Sequence, residues 1–224
     1  TNDKGLWIHH YGGNVFDGEL ADGRKLKLTQ KTDYPWEGNV HITIDAVESS
    51  DEFSILLRIP AWANKAKVTV NSRVVKAECK PSSYTTITRK WAAGDVIELD
   101  MPMPVRLITA DPLIEHTRNQ VAIMRGPIVY CLESIDVPDG IRFEDICLPA
   151  NAKWKIQYKS DLLGGVTVLK TKALVLDKTI EEDIGGYHQI RDIELRRIDI
   201  TMIPYYAWNN RGEPKMTVWL PVRW

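Results

Sequence analysis

Apolar residues alternate with polar residues along much of this 224-residue chain, and this period of two limits the fold more than any other feature. The clearest runs lie at 53–59, 65–70, 96–101, 154–158, 198–202 and 216–220. Successive side chains of a β-strand point to opposite faces, so these runs predict strands with one face on a core. Turn pairs such as Asp22-Gly23 and Asp139-Gly140 separate the runs and favour antiparallel neighbours. The pattern predicts an all-β protein of antiparallel β-sandwich type.

The stretch Met101-Pro102-Met103-Pro104 closes a first block of predicted strands. A second set of predicted strands, with longer loops between them, follows from residue 108 onward. We therefore place a domain boundary near residue 110. No linker rich in glycine or serine lies there, so we expect two adjacent sandwiches without a loose tether.

Net charge and hydropathy limit the classes of partner that this chain is expected to bind. The chain carries 29 basic and 30 acidic residues, for a formal net charge of −1. This balance gives no electrostatic reason to expect nucleic acid or an anionic membrane as partner. No apolar run approaches the roughly 20 residues that span a bilayer.

The first residues show no signal peptide, and a processed N-terminus would look the same. The sequence leaves the localisation open, with a secreted or periplasmic location favoured.

Motifs that carry chemistry are not evident in the sequence. The cysteines Cys79, Cys131 and Cys147 are odd in number and widely spaced, which matches neither a disulfide framework nor a zinc motif. The adjacent pair His9-His10 points to opposite faces if it lies on a strand, so it cannot chelate one metal ion, and one ring is expected inward. We assign no catalytic residue, no metal ligand and no cofactor to this chain.

Two aromatic segments are the candidate site. The first, Tyr34-Pro35-Trp36-Glu37-Gly38, is typical of a turn that presents Trp36. The second, residues 204–212, holds Tyr206, Trp208 and Arg211 between two predicted strands. Aromatic side chains with amide groups nearby can stack on a sugar and hydrogen-bond its hydroxyls, and the same side chains can pack in a buried interface between domains. We favour the interface and keep carbohydrate contact as the alternative.

A family resemblance rests on segments that occur in a fixed order. They are Gly5-Leu6-Trp7-Ile8-His9, then the residues Leu28 to Gly38, Leu57-Arg58-Ile59-Pro60-Ala61-Trp62-Ala63, the residues Arg125 to Glu133, and the residues Ile203 to Gly212. In this order they resemble the C-terminal half of the β-L-arabinofuranosidases of glycoside hydrolase family 127 and its relatives. The resemblance covers nearly the whole chain.

The resemblance implies that catalysis belongs to a different domain from the region that this chain resembles. In the family, an N-terminal helical barrel carries catalysis with a zinc-held cysteine of an adjacent Cys-Cys pair and a glutamate acid/base. This sequence has no Cys-Cys pair, so none of those roles transfers to it. The resemblance also implies that the second sandwich is inserted before the last strand of the first. It thus predicts a first sandwich of residues 1–110 plus 213–224 and a second of 111–212.

Three functions follow from these observations. The favoured one is an accessory, non-catalytic part of a glycoside hydrolase acting on plant-type polysaccharides, whose partner is the catalytic barrel of the same protein. The chain alone is then inactive, and zinc belongs to the catalytic domain. The alternatives are an independent carbohydrate-binding module that binds plant polysaccharide through Trp36 or Trp208, and a non-enzymatic surface sandwich.

Overall fold

Two units follow one another along the chain, Thr1–Pro104 and Val105–Trp224. The computed structural model describes residues 1–2, 5–48, 51–176 and 195–223. Within these ranges nearly all regular structure is β-strand, apart from short 3-10 turns, and most strand pairs are antiparallel. The prediction of an all-β, mostly antiparallel and sandwich-like protein is confirmed.

The first unit contains two sheets. Its strands are β1 (Gly5–Ile8), β2 (Asn14–Glu19), β3 (Lys25–Thr32), β4 (Asn39–Val47), β5 (Glu52–Ile59), β6 (Lys67–Val70), β7 (Arg73–Val74), β8 (Ser83–Lys90) and β9 (Val96–Asp100). One sheet has 6 strands in the order β2-β3-β4-β9-β6-β7, and the other has 3 in the order β1-β5-β8. Strand β1 pairs with β5 in parallel, whereas β5 and β8 are antiparallel.

Both sheets contribute to one apolar core. Ile42 and Leu99 come from the larger sheet, Ile55 and Ile87 come from the smaller one, and all belong to the same buried cluster. The alternation in β5 has its predicted effect, because Phe53, Ile55, Leu57 and Ile59 are buried there. Leu56 points to the other face of that sheet and is nevertheless only 5% exposed.

The second unit is built from one continuous sheet of 9 strands. They are β10 (Val105–Ile108), β11 (Gln120–Arg125), β12 (Ile128–Glu133), β13 (Ile146–Pro149), β14 (Lys155–Lys159), β15 (Val166–Leu176), β16 (Leu195–Pro204), β17 (Met216–Thr217) and β18 (Trp219–Arg223). The pairing runs from β11 through β18, β13, β15, β16 and β12 and returns to β11. These strands therefore form a closed ring around a core that includes Tyr130, Leu148 and Met202.

The predicted insertion of one sandwich into the other is wrong. The last strands pair entirely within the second unit, because β17 pairs with β12 and β18 pairs with β11 and β13. Leu220 of β18 is buried in the second core. Residues 213–224 therefore belong to the second unit, and the two units are sequential.

The predicted boundary near residue 110 also lies too late in the chain. Residues 105–108 form β10, which pairs with β11 from Val105↔Arg125 to Ile108↔Ala122. The second unit therefore begins at Val105, directly after the prolines at 102 and 104.

The predicted orientation of the strand near residue 156 is wrong as well. Strand β14 exists, but it pairs only with β15 among the described strands. Trp154, just before the strand, packs against the second core as predicted, but Ile156 is 44% and Tyr158 64% exposed, so the apolar face of β14 itself does not enter the core. A strand paired on one side alone can place its apolar residues outside the core without breaking the ladder.

Candidate functional site

The first aromatic loop is a tight turn between β3 and β4. The carbonyl of Asp33 accepts hydrogen bonds from the backbone N–H groups of Trp36 at 2.9 Å and Glu37 at 3.1 Å. The hydroxyl of Thr32 accepts from the N–H of Tyr34 at 3.0 Å and donates to the carbonyl of Asn39 at 2.6 Å. These bonds replace the ladder where the strand pair ends, so the turn holds a defined shape.

The two rings of this loop have different environments. Tyr34 packs against the core, with its ring centroid 5.9 Å from that of Tyr11 and 6.3 Å from that of Trp62. Trp36 is 48% exposed. The prediction that this turn presents Trp36 at the surface is confirmed, whereas Tyr34 is mainly part of the support beneath it.

Gly38 ends the turn by close backbone contact. A Cβ atom there would lie 1.9 Å from the carbonyl oxygen of Met101, and the N–H of Met101 donates to the carbonyl of Gly38 at 3.0 Å. Only glycine permits this approach. The turn that carries Trp36 is therefore fixed directly to the segment that ends the first unit.

The second aromatic loop, residues 204–212, begins at Pro204, the last residue of β16, and continues through a 3-10 turn, Tyr205–Ala207. The rings of Tyr205 and Trp208 are stacked, with centroids 6.3 Å apart and an interplanar angle of 4°. Trp208 is 37% exposed and Tyr206 55%. Ala207 between them is buried in a small cluster with Cys131 and Val166. The loop is therefore anchored at its centre while its aromatic rings stay at the surface.

Arg211 joins this loop to the end of β12 by a buried ion-pair network. Its Nε donates to Glu133 Oε2 at 3.0 Å, and its Nη1 donates to Asp136 Oδ1 at 3.1 Å. The side chain of Glu133 is 0% exposed, and its Oε1 accepts from the backbone N–H of Asn209 at 2.8 Å. Hydrogen bonds to Asp136, and then to Glu133, raise the pKa of Arg211 and keep it charged. Arg211 therefore holds the loop in place.

The sequence did not reveal Glu133 and Asp136 as partners. One signal was available: Glu133 directly follows the uninterrupted apolar run Ile128–Leu132. An acidic residue in such a position is buried only with a partner. Which of the 29 basic residues supplies that partner is a matter of tertiary contact.

The candidate residues divide between the units. Tyr34 and Trp36 lie in the first, and Tyr206, Trp208 and Arg211 lie in the second. Their assignment to a domain interface or to carbohydrate contact stays a prediction.

The thiols and histidines make no composite site in the described part of the chain. No three His, Cys, Asp or Glu side chains there come together to hold a metal ion. Cys131 is buried, and burial raises its pKa to about 12. His9 and His10 are both exposed, which corrects the expectation that one of them points inward. No helix of the described residues is long and apolar enough to cross a membrane.

Two models of one enzyme family match consecutive parts of this chain. Residues 5–103 match the middle domain of β-L-arabinofuranosidases of glycoside hydrolase family 127, and residues 105–221 match the C-terminal domain of that family. This chain belongs to glycoside hydrolase family 127. The two matches meet where the two units meet, so the sequential arrangement of the units agrees with the family's own division.

Individual relatives give the same result. The chain is 30% identical to a non-reducing end β-L-arabinofuranosidase of Bifidobacterium longum subsp. longum, over 96% of this chain and 32% of that protein. A solved β-L-arabinofuranosidase of the family from Geobacillus stearothermophilus T6 is 37% identical with a TM-score of 0.88, over 99% of this chain and 35% of its own. A further solved glycoside hydrolase is 40% identical with a TM-score of 0.89, over 97% and 36%. The chain thus spans about a third of the length of these relatives.

Proposed function

We propose that this family 127 chain is the accessory, non-catalytic part of a longer glycoside hydrolase of β-L-arabinofuranosidase type. The observation that supports this most directly is the pair of family matches, which fill the chain with a middle and a C-terminal domain. The part of each relative that this chain does not match is about twice as long as the chain itself, since the chain covers 32% to 36% of their length. Catalysis and any zinc ion would then belong to that further sequence, and the longer enzyme would act on plant-type polysaccharide.

The two aromatic loops would contact the catalytic domain of the same protein. Each loop is rigidly held, through Gly38 and Met101 in one unit and through Arg211 and Glu133 in the other. Each also keeps a tryptophan ring partly exposed. Rigid aromatic side chains are common anchors at buried contacts, because they cover much apolar area at little entropic cost.

The proposal is tested by comparing this chain with the longer polypeptide. Both are assayed with an aryl β-L-arabinofuranoside and with arabinan side chains, and bound zinc is measured by elemental analysis. We expect turnover from the longer protein only, and no stoichiometric zinc on this chain. Turnover by this chain that survives repurification and is abolished by a substitution within residues 1–224 would overturn the proposal.

A further inference from the structure

A trough crosses the outer face of the three-stranded sheet β1-β5-β8, on the side that does not face the core of the first unit. Its cavity volume is about 770 Å³, within the range of small-molecule sites. Trp7 and Tyr84 line it as aromatic walls. The hydroxyl-bearing side chains Ser54, Thr86 and Thr88 line it as well. The trough lies within the first unit and includes none of the aromatic-loop residues.

Strand register places these side chains side by side. Trp7 of β1 pairs with Leu56 of β5, and Leu56 pairs in turn with Thr86 of β8. Two residues away Ser54 pairs with Thr88, and their hydroxyl oxygens are 2.7 Å apart. Residues two apart on a strand share a face. The trough is therefore lined by an apolar strip of Trp7 and Leu56 beside a row of hydroxyl groups.

The aromatic wall is held in place before any ligand arrives. Trp7 Nε1–H donates to the side-chain oxygen of Asn2 at 2.9 Å, and its ring meets Tyr84 edge-on at 4.7 Å. The hydroxyl of Tyr84 is hydrogen-bonded to His9 Nδ1 at 2.6 Å. A ligand that stacks on Trp7 would order few side chains on binding, which favours affinity.

The residues that line the trough favour a saccharide ligand over a protein partner. Buried cores of protein–protein interfaces are depleted in serine, aspartate and glutamate. Here Ser54, Asp22 and Glu52 line the trough together with the two threonines. An aromatic face beside hydroxyl and carboxylate groups suits a saccharide, whose C–H face packs on a ring while its hydroxyls form hydrogen bonds. We propose that the trough is a saccharide-binding site on the first unit.

The charges of the lining define the class of saccharide. Arg24 is bound to Asp22, and Glu52 lies directly across from Lys90 in the strand register, so each carboxylate has a positive charge beside it. A uronic acid would therefore meet no uncompensated positive charge in the trough. The site takes neutral oligosaccharides and gives acidic ones no advantage.

Fluorine NMR of the fluorotryptophan-labelled chain tests the site, with the Trp7 resonance assigned by its loss in Trp7→Phe. Neutral arabino-oligosaccharides should shift the Trp7 resonance saturably, and oligogalacturonate should bind no more tightly than they do. Trp7→Ala should weaken binding about tenfold or more, measured by calorimetry. Tyr158→Ala is the matched control, because Tyr158 is an exposed aromatic ring outside the trough and outside both aromatic loops, and its loss should leave the affinity unchanged.

Several outcomes would overturn the site. Absence of a saturable Trp7 shift at about 10 mM oligosaccharide is one, since affinity would then be too weak for recognition. Tighter binding of oligogalacturonate than of the neutral oligosaccharides is a second. Binding that is lost in Trp36→Ala and retained in Trp7→Ala is a third. Burial of Trp7 from added quencher in the longer polypeptide would assign the trough to an interdomain contact instead. The proposed function is tested by turnover and this site by binding, so either can fail while the other holds.

Discussion

At the scale of single residues, the network of Glu133, Arg211 and Asp136 decides whether the second aromatic loop has one conformation. Glu133 is fully buried, and the loop supplies both of its partners, the guanidinium of Arg211 and the N–H of Asn209. Removing one partner of a buried pair costs more than the pair itself contributes, because an unpaired charge stays buried.

Arg211→Ala should therefore destabilise the second unit by about 3–5 kcal/mol, read from the urea midpoint at a constant m-value. Arg118→Ala is the matched control in the same unit. Arg118 pairs with Glu115 at 3.5 Å on the surface, with side chains 55% and 76% exposed. It should cost about 0–1 kcal/mol. Equal effects of the two substitutions would mean that Glu133 is solvated in solution.

Asp95 gives the first unit a defined pH dependence. Burial by itself raises the pKa of Asp95, but hydrogen bonds from Asn71 at 2.7 Å and from the N–H of Ala92 at 2.9 Å lower it overall. A lowered pKa in the folded state means that the stabilisation is present above the unfolded pKa, about 3.9. It is lost as the pH falls through the folded value.

Asp95→Asn should thus lower the free energy of unfolding by about 1–3 kcal/mol near neutral pH, because one buried acceptor becomes a donor. The gap between the two proteins should close as the pH falls below the folded pKa of Asp95. Asp17→Asn is the control, since Asp17 pairs with Lys27 at the surface with 70% of its side chain exposed. A gap that stays constant with pH would show that the carboxylate charge has no part in the effect.

At the scale of elements, local patterns and long-range pairing were not equally predictable. The alternation at 53–59 and 198–202 predicted strands whose apolar faces are indeed buried, because the strand period depends only on backbone geometry. The partner of β18 was not predictable, since Leu220 satisfies the alternation whichever core it enters. The turn at Trp36 followed from its own sequence, whereas the partners of Arg211 lie 75 and 78 positions away.

The pairing of β18 makes a specific prediction about truncation. Deleting residues 213–224 removes β17 and β18, which opens the ring between β11 and β13 and removes Leu220 from the second core. The second unit should unfold while the first retains its structure. Backbone amide exchange read residue by residue checks this. Loss of protection in β4 and β9 with retention in β15 and β16 would contradict the observed topology.

At the scale of the whole molecule, the aromatic loops distinguish a self-sufficient chain from part of a larger enzyme. Trp36 and Trp208 are 48% and 37% exposed in this chain, so much of each ring is available to a further domain. Full burial of a large apolar side chain contributes about 1.5–3 kcal/mol, and the stacking of Trp208 on Tyr205 contributes about 0.5–1.5 kcal/mol within this chain.

Trp36→Ala and Trp208→Ala should therefore each cost the longer enzyme about 0.5–1.5 kcal/mol more than they cost this chain, because only there is the exposed part of each ring buried. Thermal unfolding of both proteins with and without each substitution measures the difference. Val74→Ala and Leu113→Ala are the controls, because these apolar side chains are 77% and 85% exposed and lie outside the loops. They should cost the same small amount in both proteins. Equal losses from the tryptophan substitutions in the short and long proteins would mean that no domain covers the loops, and the exposed part of each ring would then be accessible to a glycan.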